Sequence, residues 1–144
     1  LATLTEPREA DRASRLRSPL LVAAGVTAAT LALHLRDPHV GGSWGLCPFN
    51  YLFGLECPGC GGLRAVNDLT HLDVVGALSS NLMVVLAIPV AVVLWLRWVR
   101  DAWTGIPARG RGLSLSAPVL AVALGAMLVF VVLRNIPAGS WLAP

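Results

Sequence analysis

The sequence predicts an all-α integral membrane protein with three transmembrane helices, and three observations carry that reading. Only 13% of the 144 residues are charged and 56% are hydrophobic, against about 25% charged in a soluble domain. The charges fall in blocks separated by long uncharged runs, and the mean hydropathy is +0.70. The runs approach or exceed the ~20 helical residues that cross a bilayer. The net charge of +3 is small and dispersed, which argues against nucleic-acid binding.

The first span is expected at about 19–35, after a polar, mobile tail of residues 1–18. Arg12, Arg15 and Arg17 followed by an apolar run resemble a secretory leader. The polar His34–Pro38 stretch lacks a small-residue cleavage box, so the segment reads as an uncleaved anchor. The second span is expected at about 80–98, with a helix leading into it through Val74–Ser80. Pro89 inside it is tolerable as a kink where neighbours re-satisfy the freed carbonyl. The third, 113–133, carries no charge. Ile106–Gly112 reads as a short turn. Residues 19–144 thus form one three-span domain with a Cys-containing loop at 37–79.

Orientation follows from arginine placement. Arg8, Arg12, Arg15 and Arg17 precede the first span, and Arg97, Arg100, Arg109 and Arg111 separate the second from the third. The 37–79 loop balances Arg64 against Asp37, Glu56, Asp68 and Asp73. The positive-inside rule puts the N-terminus in the cytoplasm, and the Cys loop and C-terminus outside. Trp44 and Trp141 then fall near one interface, and Trp95, Trp98 and Trp103 near the other.

The loop holds every cysteine of the chain: Cys47-Pro48, then Cys57-Pro58-Gly59-Cys60-Gly61-Gly62. Between them, Phe49, Tyr51, Leu52, Phe53 and Leu55 make an apolar, interfacial or re-entrant segment. After the glycines, Leu63, Val66, Leu69 and Leu72 alternate at helical spacing with Arg64, Asp68 and His71. That pattern predicts a short amphipathic helix at the membrane surface, with an Arg64–Asp68 pair. Asp73 has the chemistry of a helix N-cap. Asn81 suits a cap or an inter-helix hydrogen bond.

Several states are open to the thiols. A disulfide from Cys47 to Cys57 or Cys60 would clamp the aromatic segment, and disulfides persist outside the cytoplasm. Cys57 and Cys60 have thiol-oxidoreductase spacing, but no βαβ pattern surrounds them. Cys47, Cys57 and Cys60 with His71, or next His39, would make a Cys₃His zinc set. Free thiols can also pack as small hydrophobes. Arg64 could bind the Cys57–Gly61 carbonyls or an anionic head group.

These residues resemble a widespread bacterial membrane family, the domain of unknown function two-seven-five-two. Its pattern is CP, TG, CPGCG, TR, GD and NP. Cys47-Pro48, Gly54, Cys57–Gly61, Arg64, Asp73 and Asn81 match it in order over about 35 residues. Phe53, Gly62-Leu63, Leu72 and Leu82 depart from it. The resemblance implies a small multi-pass protein of the bacterial cytoplasmic membrane and implies no reaction. The reading is a non-enzymatic accessory or interaction protein whose loop is held by a disulfide or zinc. Its alternatives are a redox protein or a lipid- or metal-binding sensor. Its partners are the bilayer and a membrane complex or a second copy, since Ala117, Ala121 and Gly125 form a small-residue stripe.

Overall fold

The computed structural model describes residues 6–42, 44–45, 47–106 and 116–143, with the side chains of 6–10 left aside. In chain order the helices are α1 (Glu6–Leu35), α2 (Pro48–Phe53), α3 (Gly62–Thr70), α4 (Val74–Thr104) and α5 (Ala117–Arg134), then a 3₁₀ helix (Pro137–Leu142). There is no strand among the described residues. Three of these helices are long and apolar enough to cross a membrane: α1 over Asp11–Leu35, α4 and α5. The turn expected at Ile106–Gly112 lies almost wholly outside the described residues.

The chain packs as two compact units, one of Leu1–Ala28 with Pro89–Ser114, the other of Ala29–Ile88 with Leu115–Pro144. In the first, the Trp95 indole donates to the Pro19 carbonyl (3.1 Å) and Arg15 Nε to the Ala102 carbonyl (3.1 Å). Arg12 lies 4.8 Å over the Trp103 ring. The expected mobile tail is helical from Glu6 onward, continuous with the first span. The reason is local: Glu, Ala and Arg are strong helix formers, and Asp11 pairs with Arg15 at i, i+4.

The second unit contains all three cysteines. Its interior is as polar as it is apolar. Leu33, Ala65, Ala77, Phe130 and Leu142 are buried, and so are Asn67, Asp68, Ser80, Asn81 and Arg134. Outward-facing side chains of α5 such as Val122 and Leu128 are instead exposed, as suits helices solvated by lipid. α3 follows the same inversion. It buries Ala65, Asn67 and Asp68 while Leu63 is exposed, so of the expected polar face Asp68 points into the protein and His71 stays exposed. Asn67 donates to the Leu33 carbonyl at 2.7 Å, satisfying an orphan carbonyl in the last turn of α1.

α4 is interrupted at Asn81, whose backbone is extended (φ −163°, ψ 94°). The break sits there and not at Pro89. Asn81 Oδ1 accepts the Val84 N–H at 3.0 Å, the bond of an N-cap to its third helical residue. The helix ahead of the break starts similarly, with Asp73 Oδ1 accepting the Gly76 N–H at 2.8 Å.

Leu72 joins α3 to α4 with φ +64° and is 87% exposed. A leucine there carries a left-handed strain of about 1 kcal/mol and no compensating packing. Leu72→Gly is therefore expected to stabilise the protein by ~1 kcal/mol, read by reversible unfolding in mixed micelles. An unchanged or lowered stability would contradict the strain.

Candidate metal centre

The site begins with two short turns. Pro48 opens α2 directly after Cys47, as proline does at a first helical position. Gly54 closes α2 with φ +64°, a conformation glycine adopts without a Cβ penalty. Cys57–Cys60 then forms a tight turn in which the Cys60 N–H donates to the Cys57 carbonyl at 3.1 Å. Gly61, at φ +76°, turns the chain into α3.

This folding brings the three sulfurs together. Cys57 Sγ lies 2.9 Å from Cys60 Sγ and 3.5 Å from Cys47 Sγ, and all three are within 4.8 Å of one another. The cysteines are free. The expected disulfide is thus corrected: no sulfur pair stands at the ~2.05 Å of a covalent bond, because the start of α2 and the Cys57–Cys60 turn hold the sulfurs 2.9 and 3.5 Å apart. A tetrahedral zinc with ~2.3 Å bonds would hold its sulfurs about 3.8 Å apart, so small side-chain rotations suffice to fit such an ion.

The turn is gripped by its carbonyls from two spans. Asn81 Nδ2 donates to Pro58 O (2.9 Å) and Cys60 O (3.0 Å). Arg134, at the end of α5, donates to Cys57 O (3.3 Å) and Cys60 O (2.8 Å). Its Nε is buried without a partner among the described residues. Beside it, Asn135 Oδ1 accepts the Glu56 N–H (2.8 Å) and Asn135 Nδ2 donates to the Glu56 carbonyl (3.0 Å).

Electrostatics separates the thiols. The Asn50 N–H in the first turn of α2 faces Cys47 without closing a capping bond, and with the neighbouring thiols it holds Cys47 below the ordinary thiol range. Cys60 is pushed up, first by burial and then by its hydrogen bonds to the other two sulfurs. A cavity of about 410 Å³ adjoins the cluster, with Cys47 and Cys60 in its wall.

The other expected residues lie elsewhere. His71 does not join the sulfurs. Its Nδ1–H donates to the Asn67 carbonyl (2.9 Å) and its ring stacks on His34 at 4.4 Å. The physical cause is α3 itself, whose nine residues carry His71 roughly 13 Å along the helix axis from the turn. His39 also stands apart, with Nε2 3.3 Å from Asp68. Arg64 does not pair with Asp68 and does not hold the turn; its Nε donates to the Pro38 carbonyl at 3.3 Å. Asp68 instead accepts from Ser80 Oγ at 2.8 Å. The role assigned to Arg64 is filled by Arg134, which sequence reasoning passed over. The available signal was an arginine closing an uncharged span at its supposed outer end, against the positive-inside bias.

Metal-free protein should show Cys47 alkylated at lower pH than Cys60, followed by peptide mass spectrometry across a pH series. Equal profiles would contradict the asymmetry. Asn81→Ala should cost about 2–3 kcal/mol through loss of a cap and of a buried donor. Asn81→Asp keeps the cap alone, and wild-type stability for it in the same micelle unfolding assay would rule out the donor contribution.

A family model described as "Protein of unknown function (DUF2752)" matches residues 47–95. Neither the curated proteins nor the solved structures gave a match. The matched stretch contains the three cysteines, Arg64, Asp73 and Asn81 and extends into α4. Residues 47–95 are where this chain resembles that family of unknown function, the one its cysteine pattern pointed to.

Proposed function

We propose that this is a non-enzymatic accessory protein of a bacterial cytoplasmic membrane whose inter-span loop is folded around a zinc ion held by Cys47, Cys57 and Cys60. The observation that carries the reading is the convergence of three free sulfurs within 4.8 Å of one another. Thiolate ligands favour zinc among the abundant divalent ions. The charge balance agrees. Three thiolates and a dication sum to −1, and a buried charge needs a partner. Arg134 supplies a buried positive charge close enough to Cys57 and Cys60 to interact with them. It makes no carboxylate contact within 4.0 Å among the described residues.

The arginine distribution supports a cytoplasmic N-terminus, with the loop and C-terminus on the opposite face. The zinc holds the loop in one shape, for recognition by a membrane complex or a second copy. The stripe of Ala117, Ala121 and Gly125 is exposed and offers a close-approach surface for such an association.

Elemental analysis of protein purified from zinc-replete cells should find about one zinc per chain, as for one three-thiolate site. Cys57→Ser should lose most of it, and thiol labelling should rise only after chelation. Metal-free protein with three freely labelled thiols would sink the proposal, as would an intact mass lighter by two hydrogens without reductant.

A further inference from the structure

Three protein sulfurs leave a tetrahedral ion one position short, and these 144 residues hold three cysteines. No histidine or carboxylate joins the group among the described residues. A site with three protein ligands and one open position is the arrangement that admits an exchangeable ligand. Here that position has somewhere to open. The cavity beside the cluster is about 410 Å³, within the range of small-molecule sites. Its wall includes Cys47, Cys60, Trp44, Asn50, Glu56 and Arg64.

The two charged residues in the wall are not equivalent. Glu56 is engaged: Asn50 Nδ2 donates to its Oε1 at 2.9 Å, and its charge is felt by Arg134. Arg64 uses only its Nε, toward Pro38 O. Its two terminal amino groups have no protein partner among the described residues. A guanidinium with free N–H groups on a residue of the cavity wall fits a carboxylate, which it can meet with paired N–H bonds. The soft, sulfur-rich ion favours a fourth sulfur.

We propose that the fourth position of the metal opens into this cavity and takes a small exogenous thiol bearing a carboxylate, its sulfur on the metal and its carboxylate on Arg64. The incoming S–H gives its proton to solvent as the sulfur replaces water on the ion, and no electrons are transferred. The inference rests on the metal reading above and deepens it from a structural ion to a small-molecule site.

The test uses the full chain in detergent micelles loaded with cobalt(II), whose thiolate charge-transfer and visible bands report the ligand set. Absence of those bands before any thiol is added removes the metal reading, and this one with it. With the bands present, 3-mercaptopropionate should shift them saturably, and 2-mercaptoethanol should do so more weakly. Arg64→Gln should weaken 3-mercaptopropionate about tenfold, the value of a charge-assisted pair, and leave 2-mercaptoethanol unchanged. Arg64→Lys should restore part of the preference. No saturable shift with either thiol overturns the proposal. So does equal weakening of both thiols by Arg64→Gln, or cobalt stripped from the protein on gel filtration without a shift. A cobalt spectrum altered by Glu56→Gln before thiol addition would make Glu56 the fourth ligand and overturn it as well.

Discussion

The second unit depends on one constraint: the carbonyls of the Cys57–Cys60 turn must find donors within the protein. A tight turn ahead of a helix leaves several carbonyls outside any regular ladder. Where such a carbonyl is shielded from water, leaving it bare is costly. Asn81 and Arg134 answer this together, one from a break in α4 and one from the end of α5. The break in α4 serves the same need. An asparagine in unbroken helix could not both cap the following segment and turn its amide onto Pro58 and Cys60. The interruption of a membrane span is thereby the condition for ordering the thiols.

The placement of polar groups follows. A soluble domain buries apolar side chains and exposes polar ones. Here Asn67, Asp68, Ser80, Asn81 and Arg134 are inside, and most leucines and valines of α5 face outward. Lipid supplies no hydrophobic drive for helices to meet, so association relies on hydrogen bonds and close packing. Asn67 to Leu33, Ser80 to Asp68 and Arg134 to the turn are bonds of that kind.

The legible parts of the fold were those set by local composition. The three spans are long uncharged runs, α3 is a clear helical alternation, and Asp73 and Asn81 are capping residues by type. The resemblance also gains physical content. Where the related pattern has glycine before the aspartate, this chain has Leu72 at positive φ. Where it has proline after the asparagine, Leu82 occupies the first helical position, which proline favours. What escaped was set by distance. Nothing near Arg134 in sequence says that it meets a turn more than seventy residues earlier. Likewise, His71 looked eligible by type and spacing, but the rigid rise of α3 removes it from the sulfurs. The helical state of the polar tail was a matter of propensity outweighed by the expectation that charged termini are loose.

The clasp between Arg134 and Cys60 joins positions 74 residues apart. The cysteine turn is made first and its second set of donors last, with two membrane spans between them. During synthesis the turn emerges before either set of donors, Asn81 supplying the first and Arg134 the second. Completion of these bonds therefore waits on α5. A chain truncated or stalled before α5 would keep every cysteine and still lack the order that makes them a centre. The Arg134 bonds at the thiol turn thus form only in a chain that has already made α5.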